Sequence, residues 1–231
     1  MKKLISPTLA ALLLVGWIVV PSPRANAQAG LVSSIMTRLE RNRQNLKSLS
    51  ADINMQKYNA QLRDSEDYYG TVRYIPVSGR SAFVRLEWTK PQHEILAIAN
   101  GAYVLYRPRL NQALYGTTNS VRSAKDNDVL ALLNMSASQL RSRFGDFQDT
   151  YKETIWGGVS TDHLKAVPKA AASYQYIELW VDDSGLPVQT KMVDKNGDST
   201  TMRLSNVSKN GDLDKGIFDL KLDPSVKRIK G

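Results

Sequence analysis

His93 and His163 are the only histidines in the chain. Either imidazole could act as a general base for a Ser or Thr nucleophile, yet no Gly-x-Ser-x-Gly turn accompanies them. His93 follows the turn-forming pair Pro91-Gln92. His163 sits in an alternating segment whose neighbours Asp162 and Lys165 read as solvated, so both are expected to be surface histidines. Glu66-Asp67 and Asp182-Asp183 are adjacent carboxylates, and neighbours in a strand point to opposite faces, where they cannot share a substrate. Asp194, Asn196 and Asp198 alternate around Gly197 as in part of a calcium loop, but the distal Glu is missing between Met202 and Val207 and a hairpin turn is the expectation. The chain has no cysteine, which removes disulfides, thiolate metal sites and cysteine nucleophiles. The reading is of a protein that is not an enzyme, with no metal and no cofactor.

The remaining charged signal is basic. Lys and Arg number 31 against 22 Asp and Glu, a net charge of +9. Arg107, Arg109, Arg122, Lys125, Arg141 and Arg143 interleave with Tyr106 and Tyr115. No aromatic platform is clustered enough for nucleic acid, and none is expected as a partner. Anionic lipid headgroups, an acidic partner or plain solvation account for this charge. Part of the charge belongs to the first residues. Lys2 and Lys3 precede an apolar run from Leu9 to Val20, then Pro21, Pro23 and the small-x-small triplet Ala25-Asn26-Ala27. This is the order of a secretory signal peptide, residues 1–27, cleaved after Ala27. The run is shorter than the roughly 20 residues of a membrane-spanning helix. Residues 28–231 are then a single exported domain of periplasmic location, expected to be monomeric. The leader takes three positive charges with it.

Elements positioning any site follow from periodicity. Leu31, Ile35 and Leu39 recur at helical spacing, with Leu46 and Leu49 extending the stripe, so a helix is expected over 31–49. The period then drops to two. Strands are expected over 51–58, 69–75, 82–88, 94–99 and 102–106, with Asn100-Gly101 as a tight hairpin. Residues 126–147 read as helical, with a second short helix opening at Ser136 or Ser138, carrying Leu140 and Phe144 and ending near Gly145. Strands resume over 150–156, 161–167, 174–181, 187–193 and 200–207. Consecutive strands joined by tight turns make an antiparallel meander that must curl or be covered to hide its apolar face. The fold class is α+β: a strongly curved antiparallel sheet forming an unclosed β-barrel, its concave side holding the N-terminal helix and a helical lid.

Apolar alternation supplies the candidate binding residues. Val84, Leu86 and Trp88 occupy one face, and Ile95, Val104 and Tyr106 are read as its continuation. Ile177, Leu179, Met192 and Met202 do the same in the C-terminal half, and Leu130, Leu133 and Met135 lie on the helical insert. These side chains either fill the barrel or line a cavity for a lipid-like ligand.

Arg85-Leu86-Glu87-Trp88, Pro91, Asn100-Gly101, Tyr106 and Pro108 resemble the periplasmic outer-membrane lipoprotein carrier (LolA-like) family. Glu178-Leu179-Trp180-Val181-Asp182, Gly185-Leu186-Pro187 and the segment from Phe218 to Ile229 are similar to its C-terminal half. The resemblance implies a helical lid over a hydrophobic cavity that shields lipoprotein acyl chains in transit from inner to outer membrane. It implies an inner-membrane ABC-type release complex and an outer-membrane receptor as partners. It equally admits an envelope lipid-binding or stress-sensing module of the same fold, or a filled barrel that binds protein. The family's Arg-Pro pair, whose Arg holds the lid, is replaced here by Ile75-Pro76, with Arg73 and Arg80 as candidate latches.

Overall fold

The computed structural model describes residues 23–77, 82–118 and 135–231. Helix α1 (Pro23–Asn45) leads into β1 (Leu49–Asn59), β2 (Asp64–Pro76), β3 (Ala82–Lys90), β4 (Glu94–Ala99), β5 (Ala102–Arg107) and β6 (Gln112–Thr117). A short helix, α2 (Ala137–Arg143), precedes β7 (Phe144–Ile155), β8 (Val159–Pro168), β9 (Tyr174–Asp182), β10 (Pro187–Asp194), β11 (Ser199–Lys209) and β12 (Lys227–Lys230). Among the described residues these strands form one twelve-stranded sheet, ordered β12-β6-β5-β4-β3-β2-β1-β11-β10-β9-β8-β7. Every ladder is antiparallel except β12 beside β6. The sheet is curved and unclosed, with β7 and β12 at its two edges.

Several boundaries differ from the expectation. Leu49 opens β1 rather than closing α1, because it pairs with Tyr74 on one side and Lys209 on the other. Leu49, Ala51, Ile53 and Met55 are the buried positions of an alternating strand. Ser136 caps α2 in a reciprocal box: its Oγ accepts from the Gln139 backbone at 3.1 Å, and Gln139 Oε1 accepts from the Ser136 N–H at 2.9 Å. Phe144, expected in that helix, instead begins β7 with its ring buried. Strand β6 went unread in the sequence because its core-facing residues are few. Residues 126–134 of the expected helical insert, with Leu130 and Leu133, lie outside the described residues, as do Arg80 and residues 1–22 of the expected leader. The backbone of α1 runs across the expected cleavage point at Ala27.

The main core lies on the inner face. Ile35, Met36 and Leu39 of α1 pack with Ile53, Met55, Leu164, Ile177, Leu179, Met202 and Phe144. The turn between β9 and β10 is built to receive α1: Gly185 has φ 85°, and a Cβ there would lie 2.1 Å from the Arg38 carbonyl oxygen. A smaller core lies on the outer face. After β11 the chain crosses behind β3 and β4, where Phe218 meets Phe83 with ring centroids 5.6 Å apart and the Ile217 carbonyl accepts from Arg85 Nη1 at 2.9 Å. Beneath this strap Ile95, Ala97 and Ala113 are buried, as are Phe218 and Val226.

Candidate functional site: a concave face filled at one end and half-covered at the other

The register assigns each residue to a face. Leu86 pairs with Leu96 and Val84 with Ile98, so the inner face of β4 carries Leu96 and Ile98. Leu96 pairs in turn with Leu105, and Leu105 with Leu114. A row of aliphatic side chains therefore crosses β3 to β6 on the concave side. Ile95 stands opposite Glu87, and Val104 and Tyr106 stand opposite Ala97 and Ile95. These three belong to the outer face, which corrects the expectation that they continue the Val84, Leu86, Trp88 set. The reason is loop parity. Three residues separate β3 from β4, so even positions pair with even ones, and a one-residue difference in register exchanges the faces.

Of the other expected lining residues, Ile177, Leu179, Met192 and Met202 share the inner face with Leu86 and Trp88, but they are buried in the packed cluster under α1. Met135 joins that cluster too. Trp88 is braced edge-on by Tyr68, ring centroids 5.8 Å apart. The concave face thus has two halves. From β8 to β11 and on β1 it is filled. Across β4 to β6, Leu96, Ile98, Leu105 and Leu114 are only half-buried, as is Val84 on β3, although all five are aliphatic. On the same strands Ile95, Ala97 and Ala113 of the outer face are fully buried. Leu96, Ile98, Leu105 and Leu114 were missed in the sequence, and the Asn100-Gly101 hairpin alone could not have found them. It links β4 to β5 but leaves their relation to β3 open.

Arg73 also lies on the outer face, since Val72 on β2 is inner and pairs with Leu86. Its Nη1 donates to Thr71 Oγ1 at 3.5 Å. It is on the wrong side of the sheet to latch a cover over the concave side. The cation that does tie a helix to the sheet is Arg38 of α1. Its guanidinium pairs with Asp162 and donates to the Asp182 carbonyl at 3.1 Å. Asp162 is 2% exposed, with Lys152 Nζ 3.1 Å from its other oxygen. Its expected solvation is corrected: as an inner-face residue opposite Val181 it is buried by α1.

The histidines are not a catalytic set. His93 sits in the β3–β4 connection with Nε2 3.1 Å from Glu87 Oε1. His163, expected at the surface, is 3% exposed on the outer face, with the tilted rings of Tyr151 and Trp180 at centroid distances of 4.5 and 4.8 Å. Its Nδ1 donates to the Asp149 carbonyl at 2.7 Å and its Nε2 faces Glu178 Oε2 at 3.1 Å. Burial works against protonation, but the Glu178 carboxylate and the Asp149 carbonyl outweigh it, so the His163 pKa rises above its ordinary 6.5. The His163 hydrogen bond holds Glu178 below its ordinary 4.5. With both ring nitrogens hydrogen-bonded and the side chain buried beside Tyr151 and Trp180, His163 has no access to substrate. Asp194, Asn196 and Asp198 form a hairpin turn, with Asn196 Nδ2 donating to Asp198 Oδ2 at 2.7 Å.

Residues 44–221 match the family described as Outer membrane lipoprotein carrier protein LolA. The chain belongs to the LolA family. None of the curated proteins matches the sequence. Among solved structures, an uncharacterised conserved protein from Thermus thermophilus is similar at TM-score 0.55 and 13% identity, over 86% of this chain and 98% of its own. MucB, from the MucA/MucB complex of Pseudomonas aeruginosa, is similar at TM-score 0.52 and 15% identity, over 82% of this chain and 60% of its own. LprF from Mycobacterium bovis is similar at TM-score 0.51 and 12% identity, over 79% of this chain and 94% of its own. These likenesses show the fold. The LolA-family meander accounts for the curved sheet with its helix inside, and the row on β3 to β6 is the part of that sheet left half-covered, with Leu96 touching the main core at its edge.

Proposed function

We propose that this protein is a non-catalytic carrier that binds the acyl chains of a lipoprotein, or of a lipid of similar tail, against the concave face of β3 to β6. The observation that carries the reading is the row Val84, Leu96, Ile98, Leu105 and Leu114. Five aliphatic side chains stay half-buried on the concave side, while Ile95, Ala97 and Ala113 on the outer face of the same strands are buried beneath the C-terminal strap. Each CH₂ moved from water into such a lining gains about 0.8 kcal/mol, so an acyl chain laid along it is held without any polar catalyst. Membership of the LolA family supports the same reading. In this role the protein is exported by its N-terminal segment and works in the periplasm, taking cargo from an inner-membrane ABC-type complex and passing it to an outer-membrane receptor.

The test is native mass spectrometry and lipid extraction of protein purified from the periplasm. Bound acylated species, lost on Leu96→Gln, are expected. No bound acyl species, with no change in Trp fluorescence on adding diacyl lipid, would sink the proposal.

A stress-sensing role on the same fold is the second reading, supported by the similarity to MucB, which forms a complex with MucA. On that reading Leu96→Gln would leave the cellular phenotype of the protein unchanged.

A further inference from the structure

We infer that Tyr103 sets the size of the lipid tail held on the concave side, because Gly116 and Gly231 let its ring lie down against the sheet instead of standing in the hollow. The inference rests on the carrier reading and names the residues that make that binding site selective.

The register places Tyr103 at the border of the aliphatic row. It stands opposite Ile98 on β4 and opposite Gly116 on β6, so it shares the inner face with Ile98, Leu105 and Leu114. Tyr106 and Tyr115, the other aromatic residues of β4 to β6, pair with Ile95 and Val104 and face outward. Strand β12 extends the inner face by one more strand, with Ile229 beside Leu114. The Gly231 N–H donates to the Tyr115 carbonyl at 2.8 Å, which brings Gly231 next to Gly116. Two neighbouring inner-face positions therefore lack a side chain, and the phenol ring occupies that gap. A Cβ on Gly116 would lie 2.5 Å from Tyr103 Cε1 and 2.8 Å from its hydroxyl oxygen, and one on Gly231 would overlap the same oxygen. Gly116 is not one of the glycines with positive φ. What the fold uses there is the missing side chain, the usual reason for a glycine inside a strand that another group approaches closely.

The consequence is steric. The ring is half-buried; one side rests on the glycines and the other borders the space beside Leu105 and Leu114. The β6 backbone lies beneath the ring, so a group added at Gly116 must lift it into the hollow and take volume from the site. Removing the ring does the reverse, uncovering a slot over the two glycines that the end of a longer chain can enter. Each methylene admitted to the lining or kept out of it changes affinity about 4-fold. The preferred tail size therefore moves in opposite directions for the two substitutions, which a general loss of stability does not produce.

Competition between stearate and laurate for the purified protein tests this, run on the wild type, Tyr103→Ala, Gly116→Ala and the double variant. The ratio of two affinities on one protein does not depend on how much of it is folded. The stearate-to-laurate ratio is expected to rise about 4-fold or more in Tyr103→Ala and to fall by a similar factor in Gly116→Ala. The double variant should match Tyr103→Ala, since Gly116 acts through the ring. Tyr103→Phe, which keeps the ring, should keep the wild-type ratio. An equal ratio in the wild type and Tyr103→Ala overturns the inference, and that comparison decides alone if Gly116→Ala does not fold. A Gly116→Ala effect that persists without the ring also overturns it. If the wild type binds both acids and the ratio does not move, this inference falls while the carrier reading stands; if it binds neither, both fall.

Discussion

Leu86 stands directly opposite Leu96 across the β3–β4 ladder, and that single pairing decides which side chains of β4, β5 and β6 face the hollow of the sheet. Leu96 faces inward and is half-buried, whereas its neighbour Ile95 faces outward and is buried beneath the C-terminal strap. A polar substitution at Leu96 and one at the outward, half-buried Val104 should therefore have opposite consequences. Leu96→Gln is expected to reduce the binding of a fluorescent fatty acid at least 10-fold, with some fall in melting temperature because Leu96 also touches the main core. Val104→Gln should leave binding intact. Titration of both variants side by side checks the face assignment, and equal losses would refute it.

Under the strap the outer core is small-residue packing. Ala97 and Ala113 are 2% and 0% exposed, with no room for larger groups. Ala113→Leu should destabilise the protein by about 1–3 kcal/mol through overpacking, read as a lower denaturant midpoint. Because the substitution is on the far side of the sheet, fatty-acid affinity of the folded fraction should not change.

Arg38 and Asp162 join α1 to β8 inside the barrel. Removing one partner of a buried pair costs about 3–5 kcal/mol, and without Arg38 the buried Asp162 keeps only the Lys152 ammonium at 3.1 Å. Arg38→Met should show a loss of that order in equilibrium unfolding. Arg38→Met combined with Asp162→Leu should recover much of it, since both charges are then gone. Additive losses would mean the two residues do not act as a pair.

His163 makes stability depend on pH. It faces Glu178 and Trp180 from β9, Tyr151, Glu153 and the Asp149 carbonyl from β7, with Lys165 beside it on its own strand. Its folded pKa is raised above 6.5, so its stabilisation is complete below pH 6.5 and is lost as pH climbs through the folded value. Glu178 is lowered from 4.5, so its share is present above pH 4.5 and disappears on further acidification. Melting temperature should fall on going from pH 6 to pH 9 in the wild type. In His163→Phe that decline should be smaller, and a parallel decline in both would remove His163 from the account.

The sequence carried most of the secondary structure. Alternation marked β1, β3, β4, β5 and the strands from β8 to β11, while the choice between Ser136 and Ser138 as the start of α2 was settled by the box that Ser136 forms with Gln139. Strand β6 and the β12 edge escaped because short strands with few apolar residues are specified by their partners, β5 through Leu105 in one case and the β6 backbone in the other. The burial of His163 and Asp162 escaped for a related reason. Each is surrounded by residues distant in sequence, Trp180 and Glu178 for one and Arg38 for the other.

By itself the sequence determined an antiparallel sheet that must curl or be covered, because period-two alternation and tight turns leave one apolar face to hide. It also determined that Ile95, Ala97, Val104 and Tyr106 share a side, since the two-residue Asn100-Gly101 hairpin fixes their register. Only the tertiary structure decided which side that was. The parity of the β3–β4 connection turned it outward, and the returning C-terminal strap then covered it. Leu96, Ile98, Leu105 and Leu114 were left facing the hollow, where α1 fills the other half and packing alone does not bury them.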